Sequence, residues 1–468
     1  MTIASTNVTP INATDTSGGP GEARSPGLSY QDLLDHDTRT APDVLRWQSG
    51  GFMGDHDIPV SRYTSREFHE LEKEKMWKRV WQMACREEDI PNVGDTLVYD
   101  ICDMSILVVR AKDTSIRAYV NACLHRGRLL READGNVADL RCAFHGFCWN
   151  LDGSLKQVPC DWDFPHVDKN EWALPEVKVG QWGGFVFVNM DPNCESFESF
   201  LGDFGWHFER WPLEKRYKSV HVARLFPCNW KVVQDAFSEA FHVVATHPQL
   251  LAGIGDANSQ YDWKDNYSRA ITPNGTPSPH IKWTPTEQEM FDAMSDRRLD
   301  EPPVVELADG MTARSTAGVG GRAGLAPVIG QEAADQLSDA ELSDSIYYTL
   351  FPNFHPWGSY NRICYRFRPY EDRHDMSVME CMFLEPYDES KPKPPAVPIH
   401  WLGVDDDWAE MAPELGLLAR VFNQDTYNLP KVQRGLKTMT KPGVTLANYQ
   451  ETKIRHFHTL LSRWIDKP

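Results

Sequence analysis

The spacing of apolar and polar residues changes several times along the chain, and each change predicts a different kind of structure. Residues 1–45 are rich in Ser, Thr, Gly, Pro and Asp, a composition that predicts a mobile N-terminal arm. The stretch SREFHELEKEKMWKRVWQM (65–83) repeats apolar residues at near-helical spacing behind Ser65, which can cap a helix. Residues 46–90 are therefore predicted to form a helical lead-in that belongs to the larger, C-terminal domain.

The pattern of apolar and polar residues changes at residue 91. DTLVYDICDMSILVVRAKDTSIRAYVNAC (95–123) consists of short β-branched runs separated by Cys-Asp-Met-Ser and Lys-Asp-Thr-Ser, which mark hairpin turns. QWGGFVFVNMDP (181–192) continues the pattern. These runs predict a small antiparallel β domain over 91–205.

Residues 206–468 mix helical and strand-like segments and predict a second, larger α+β domain. The stretch 230–247 lacks Gly and Pro and is predicted to be a helix, and 345–370 has aromatic strand character. Two further helices are predicted over 410–436 and 449–466. The polar stretch 285–345 contains GVGGRAG and is predicted to be an insertion with a flexible centre.

Composition and charge narrow the classes of function. With 468 residues, the chain is long enough for two or three domains, and its net charge of -19 argues against nucleic acid as a partner. It has no apolar run of 18 residues and no signal-peptide layout at its start, so we expect no membrane association and a cytoplasmic location. The ten cysteines form no disulfide framework, which favours reduced thiols and metal ligands.

Two short motifs combine cysteine with histidine. NACLHRGRLL places Cys123 two residues before His125, and RCAFHGFCWN places Cys142 three residues before His145. Two thiolates and two imidazoles on paired loops can hold a small iron–sulfur cluster, but the same donor set also suits zinc. From spacing alone, both interpretations stay open.

The flanking residues distinguish between them by resemblance. The pattern C-x-H-x(16)-C-x-x-H, with its H-R-G and H-G continuations, resembles the signature of Rieske proteins. This resemblance implies a [2Fe–2S] cluster with Cys123, His125, Cys142 and His145 as its ligands.

A second group of candidate ligands lies in CNWKVVQDAFSEAFHVVATHPQLL. His242 and His247 are five residues apart, and Glu239 precedes His242 by three. Two imidazoles and one carboxylate bind non-haem Fe(II) in O₂-using enzymes, although H-x(4)-H alone more often marks structural histidines.

This segment resembles the catalytic helix of the alpha subunit of Rieske non-haem iron aromatic ring-hydroxylating oxygenases, which runs N-W-K, an acid, and then [DE]-x-Y-H-x(4)-H. Two positions depart from the family pattern: Phe241 replaces the common Tyr, and Ala236 stands where many members have Asn. The matching residues are Asn229, Trp230, Lys231, Asp235, Glu239, His242 and His247.

The resemblance also implies a third iron ligand, a carboxylate in a helix shortly before a Q-R-G-like segment. FNQDTYNLPKVQRGLKT supplies Asp425 at that position. The competing acids are expected to be solvated at the surface; they are Asp405, Asp406, Asp407 and Glu414.

Family membership implies a fold, an assembly and a reaction. The expected fold is α+β, with an antiparallel β Rieske domain and a catalytic domain that has an antiparallel sheet flanked by helices. The expected assembly is a homotrimer, with or without an additional beta subunit, in which the cluster of one subunit faces the iron of the next. Glu239 then bridges a histidine ligand on each side and acts in catalysis.

The expected activity is hydroxylation of an aromatic or bulky apolar substrate with O₂, as mono- or cis-dihydroxylation. The alternative is demethylation, or hydroxylation of a steroid or quaternary amine. Electrons are expected from a ferredoxin or a flavin reductase, which could dock on Arg126, Arg128 and Arg131. A pure electron carrier and a zinc-stabilised binding protein are the rival classes. Candidate pocket residues are Phe237, Tyr348, Phe351, Phe354 and Phe422.

Overall fold

The structure, a computed structural model, describes residues 19–25, 27–296, 303 and 305–467. The described chain divides into two compact units. The large unit comprises the described residues up to Phe68, together with Gly202–Arg368 and His374–Arg463. The small unit comprises His69–Leu201, Pro369–Arg373 and the residues from Trp464 onward. Residues 1–18 of the predicted arm lie outside the described residues.

The strands are numbered in chain order. They are β1 Ile58–Pro59, β2 Gln82–Arg86, β3 Asp95–Ile101, β4 Met104–Arg110, β5 Ile116–Val120, β6 Gly135–Asn136, β7 Leu140–Arg141, β8 Cys148–Trp149, β9 Leu155–Gln157, β10 Glu176–Trp182, β11 Phe185–Asn189, β12 Arg216–Phe226, β13 Gln260–Lys264, β14 Tyr267–Thr272, β15 Ser345–Leu350, β16 His355–Pro356, β17 Ile363–Pro369, β18 Ser377–Pro386, β19 His400–Leu402 and β20 Gly443–Val444.

The α-helices are numbered in the same way. They are α1 Tyr30–Leu34, α2 Asp43–Arg46, α3 Ser61–Thr64, α4 Arg66–Glu72, α5 Phe197–Leu201, α6 Trp230–Ala236, α7 Val243–Thr246, α8 Glu287–Met294, α9 Ala313–Ile329, α10 Gln331–Asp335, α11 Asp339–Ser343, α12 Trp408–Met411, α13 Leu417–Leu436 and α14 Thr452–Ile465.

The small unit is built from antiparallel sheets. Its main sheet has the order β2-β11-β10-β5-β4-β3-β6, and β7, β8 and β9 form a second, three-stranded sheet. The two predicted hairpin signals are turns: β3 ends at Ile101 and β4 begins at Met104, while β4 ends at Arg110 and β5 begins at Ile116. The apolar core of this unit includes the predicted cluster cysteines.

The large unit combines helices with three sheets among its described residues. One has the order β16-β17-β18-β12-β19, in which β12 pairs antiparallel with β18 and parallel with β19; the others are β13-β14-β15 and the two-stranded β1-β20. Mixed helix and antiparallel sheet is the predicted fold class, which is therefore confirmed. None of the helices in the described chain combines the length and the apolar character needed to cross a bilayer.

The N-terminal third of the chain differs from its sequence prediction. Within the predicted arm, α1 and α2 are helical and bury Tyr30, Leu33 and Leu34. The helix predicted over 65–83 ends with a π-helical turn at Trp77, and β2 follows instead. Every residue of β2 is buried, and all but Ala84 pair with β11, so sheet pairing outweighs local helical periodicity here. The predicted lead-in of 46–90 is therefore divided between the two units.

The glycine-rich centre of the predicted insertion is helical. Helix α9 runs through the glycine-rich stretch, and ion pairs of Arg314 with Asp344 and of Arg322 with Asp339 hold it. A Cβ added at Gly318 would lie 2.1 Å from Asp339 Oδ1. Glycine is therefore required here for close approach between elements, and it does not signal flexibility.

Candidate metal centres

The two Cys/His motifs of the small unit form a pair of similar loops. In each loop the cysteine carbonyl accepts a hydrogen bond from the glycine four residues later, at 2.8 Å for Gly127 and 3.0 Å for Gly146. Both glycines have positive φ, +76° and +81°, which tightens the turns. The ring centroids of His125 and His145 are 4.7 Å apart. The loops thus bring two imidazoles together beside two buried thiols.

The surroundings of these four donors suit an iron–sulfur cluster. Burial raises the pKa of the Cys123 thiol, while backbone N–H groups of His125 and Arg126 hydrogen-bond to its sulfur and act in the opposite direction. Burial also lowers the pKa of His125, which favours the neutral imidazole that ligates metals. Amides aimed at a cysteine sulfur stabilise a thiolate and tune a bound cluster.

The second candidate centre lies in the large unit. The ligating atoms of His242, His247 and Asp425 all lie within 4.8 Å of one another. Asp425 Oδ1 is 3.1 Å from His247 Nε2 and 3.6 Å from His242 Nε2. Two imidazole nitrogens and a carboxylate oxygen converge on one point, as the 2-His-1-carboxylate site for non-haem iron requires.

The local fold explains the five-residue spacing of the histidines. The helix predicted over 230–247 is interrupted, because α6 ends at Ala236 and the one-turn helix α7 begins at Val243. His242 and His247 flank α7 at its two ends. Both rings therefore reach the same side, which a continuous helix would not allow for residues five apart.

Hydrogen bonds on the outer nitrogens fix the orientation of both rings. Glu239 Oε1 lies 2.8 Å from His242 Nδ1, and its Oε2 accepts the His242 backbone N–H at 2.9 Å. Gln424 Oε1 lies 2.7 Å from His247 Nδ1. These contacts assign the proton of each ring to Nδ1 and leave Nε2 free to ligate. Sequence reasoning identified Glu239 but missed Gln424, whose only local signal is its position beside Asp425.

The site carries a surplus of negative charge. Burial lowers the pKa of His242, but the carboxylates of Glu239 and Asp425 outweigh it and raise this pKa to about 9. A positive charge at this point is therefore strongly favoured.

Two of the acids that competed with Asp425 as the third ligand have other partners. Asp407 caps α12, and Glu414 contacts His400 at 2.6 Å.

An aromatic wall extends from the three candidate ligands. The ring of Phe237 lies 5.7 Å from Phe422, 5.4 Å from Tyr365 and 5.6 Å from Phe367. Phe422 precedes Asp425 by one turn of α13. We call these four residues the aromatic wall.

Only part of the predicted pocket joins this wall. Phe237 and Phe422 belong to it, whereas Tyr348 and Phe354 pack on Phe204 and Phe351 packs on Phe457. Tyr365 and Phe367 were missed by sequence reasoning, because β17 lies far from both iron motifs along the chain.

An antiparallel domain with a Cys₂His₂ centre, next in sequence to an α+β domain with a 2-His-1-carboxylate centre, defines the class of two-centre iron oxygenases. A family model described as "Ring hydroxylating alpha subunit (catalytic domain)" matches residues 207–467, and one described as "Rieske [2Fe-2S] domain" matches 80–168. The chain belongs to the ring-hydroxylating alpha subunit family. The predicted family and the predicted cofactors, a Rieske [2Fe–2S] cluster and a mononuclear iron, are therefore confirmed, while the role of each ligand stays a prediction.

Curated relatives match about half of the chain. The chlorobenzene dioxygenase subunit alpha of Cupriavidus sp. (strain PS12) is 30% identical over 236 residues, which is 47% of this chain and 52% of the relative. The carnitine monooxygenase oxygenase subunit of Escherichia coli (strain K12) is 31% identical over 194 residues, 41% of this chain and 52% of the relative. The chain thus spans about half the length of the curated relatives it matches.

Solved structures share the fold. A quaternary ammonium Rieske monooxygenase aligns with a TM-score of 0.62 at 19% identity, over 88% of this chain and 95% of that one. A naphthalene 1,2-dioxygenase mutant bound to phenanthrene aligns with a TM-score of 0.61 at 19% identity, over 89% of this chain and 94% of that one.

Proposed function

We propose that the chain is the oxygenase component of a system that uses O₂ and electrons from a ferredoxin or flavin reductase to hydroxylate an aromatic or bulky apolar substrate. The observation that carries this proposal is the convergence of His242, His247 and Asp425 beside the aromatic wall. When bound, the cluster supplies single electrons and the mononuclear iron supplies the position at which O₂ is activated.

The protein side chains have separate roles in this proposal. Cys123, Cys142, His125 and His145 would hold the cluster, and His242, His247 and Asp425 would hold the mononuclear iron. The aromatic wall positions an apolar ring and excludes water from the iron.

Glu239 is proposed to link the two centres across a subunit boundary in a homotrimer. Glu239 is 9% exposed, and its carboxylate already accepts a hydrogen bond from the Nδ1–H of His242. A second histidine, on the partner subunit, could then share the same carboxylate. We expect Glu239→Gln to keep both metals and the fold but to lose coupled product formation. The amide is uncharged and has one acceptor oxygen, so it cannot serve the His242 backbone N–H, the His242 Nδ1–H and a second imidazole together. Full coupled turnover by this variant would refute the bridging role.

The reductase is proposed to dock beside the cluster loops. Of the three arginines predicted for this surface, Arg126 is exposed, whereas Arg128 is paired with Glu132 at 2.8 Å and Arg131 is half-buried. Arg126→Ala is expected to slow cluster reduction at low salt, with a smaller effect at high salt. Arg128→Ala is the control.

The decisive experiment combines metal analysis with a product screen. The proposal predicts two cluster irons and one mononuclear iron per chain, a Rieske EPR signal after reduction, and hydroxylated products with O₂ and a reductase. Zinc in both centres would refute it, and a Rieske signal without a mononuclear iron would leave a pure electron carrier.

A second candidate is hydroxylation or demethylation of a non-aromatic substrate such as a quaternary amine. The similarity to a carnitine monooxygenase oxygenase subunit supports it. Including quaternary amines and steroids beside mono- and polycyclic aromatics in the same screen distinguishes the two.

A further inference from the structure

Lys453, in α14, is a buried cation without an acidic partner. It is 2% exposed; its Nζ donates to the Tyr347 carbonyl at 3.2 Å and lies 4.6 Å from the centre of the Tyr347 ring. Within the described part of the chain, no carboxylate pairs with it. Some other buried cations of the large unit do pair with acids, such as Arg269, which contacts Asp262 at 2.8 Å. An ammonium is costly to bury unless a negative charge compensates it.

A second buried nitrogen group, His355, lies near enough to Lys453 for the lysine to act electrostatically on it. His355 is 4% exposed, and its Nδ1 is 2.9 Å from Thr349 Oγ1. Its Nε2 is buried and has no hydrogen-bond partner among the described residues. Buried polar atoms nearly always have a partner, so the unpartnered His355 nitrogen, near a lysine that hydrogen-bonds only to a backbone carbonyl among those residues, indicates a site for a ligand.

The aromatic wall joins this pair to the proposed iron site. The His355 ring lies 4.9 Å from Phe367, which stacks at 5.6 Å on Phe237. Phe237 in turn contacts Phe422, one turn from the iron ligand Asp425. His355 thus lies at one end of the wall. Lys453 is linked to the wall through the Tyr347 ring, which lies 5.5 Å from Trp357, and Trp357 lies 6.1 Å from Tyr365.

The charge balance of this end favours an anion. Burial lowers the pKa of Lys453 well below its usual range, and burial together with Lys453 does the same to the pKa of His355. The side chains in contact with the pair, Tyr347 and Thr349, are neutral; burial and, with a smaller effect, the Glu239 carboxylate raise the pKa of Tyr347. Both nitrogen groups are therefore biased towards their neutral forms, and an entering anion would favour uptake of a proton by one of them.

We propose that Lys453 and His355 bind the carboxylate of an aromatic acid, whose ring lies along the aromatic wall towards the iron. This inference rests on the proposed function and adds its substrate class. An anionic substrate receives two charge-assisted hydrogen bonds, whereas a quaternary amine would meet a cation at this end.

The test is calorimetric titration of the iron-loaded full chain with 2-naphthoate and with the neutral isostere 2-naphthamide. One charge-assisted hydrogen bond in a buried site contributes about 1.5–3 kcal/mol, which corresponds to ~10–100-fold in Kd. We expect the acid to bind at least ~10-fold more tightly than the amide. Repeating the titration in buffers of different ionisation enthalpy should reveal proton uptake with the acid only.

Variants separate an anion site from a structural lysine. Lys453→Met should weaken 2-naphthoate binding by ~10–100-fold and leave 2-naphthamide binding nearly unchanged. Lys218→Met is the matched control, because Lys218 is also 2% exposed but has a partner in His221, at 3.1 Å. His355→Phe is a second, independent variant with the same expected selectivity, in case Lys453→Met does not fold.

The outcomes distinguish this inference from the proposed function. Equal affinity of the parent and the Lys453→Met or His355→Phe variant for 2-naphthoate would overturn the inference, and so would a parent that prefers the amide. If an unsubstituted protein that prefers the amide still hydroxylates neutral aromatics, the proposed function stays intact. Conversely, Lys453-dependent binding of the acid without any oxygenated product would uphold the anion site and refute the oxygenase.

Discussion

Gln424 provides the sharpest test of how the protein holds its mononuclear iron. Its side-chain oxygen accepts the Nδ1 proton of His247 at 2.7 Å, while Gln249 supports the same oxygen at 2.9 Å. The substitution Gln424→Leu keeps the side-chain volume and removes the acceptor. His247 is 3% exposed, so water has little access to replace the lost partner.

The expected loss follows from this one contact. Without an acceptor, the neutral ring of His247 can place its proton on Nε2, the nitrogen that faces Asp425, and its orientation is no longer fixed. Removing such an orienting partner typically weakens metal binding by 10–100-fold. That factor corresponds to about 1.4–2.7 kcal/mol. Coordination by His242 and Asp425 remains, so partial binding should persist.

The assay is competition for Fe(II) between the anaerobic protein and a chromogenic chelator of known affinity. The expected order of affinity is parent, then Gln249→Leu, then Gln424→Leu, because Gln249 contacts Gln424 but not His247. The Rieske absorption should be the same in all three proteins and serves as a check on folding. Iron affinity of Gln424→Leu equal to that of the parent would refute the orienting role.

Three further substitutions test other parts of the structure. Gly153→Ala should lower the melting temperature of the small unit, because the new Cβ would lie 2.5 Å from Tyr119 Cε1 and the backbone has φ +82°. Such backbone strain costs about 1–3 kcal/mol. An unchanged melting temperature, followed through the visible absorption of the cluster, would contradict this. Burial, with a smaller effect of Glu239, raises the pKa of Glu451 from 4.5 to about 7. The neutral carboxyl therefore stabilises the folded protein fully below pH 4.5, and this stabilisation is lost as the pH rises towards 7. Glu451→Gln should therefore flatten thermal stability between pH 5 and 8, and an unaltered profile would count against it. Cys123→Ser should abolish the cluster absorption yet retain one mononuclear iron per chain, and a retained Rieske spectrum would exclude Cys123 as a ligand.

The hairpins of the small unit could be predicted because their signals are local. The turn residues and the β-branched runs that they separate lie within a few positions of one another, and β3, β4 and β5 form where these runs predict strands. The helix predicted over 65–83 failed because the burial of β2 on both faces depends on β11, about a hundred residues later. The glycine-rich part of α9 failed for a similar reason, since Gly318 serves the approach of Asp339.

The sequence by itself determined the family, the two kinds of metal centre and the proposed ligands, because cluster loops and paired histidines require fixed short spacings. Only the tertiary structure decided what surrounds those ligands. It ended α6 before His242, set Gln424 against His247, and placed His355 at one end of the aromatic wall, with Lys453 linked to the wall through Tyr347. These groups come from β16, α13 and α14, and their proximity depends on packing between distant segments, which leaves no periodic trace in the sequence.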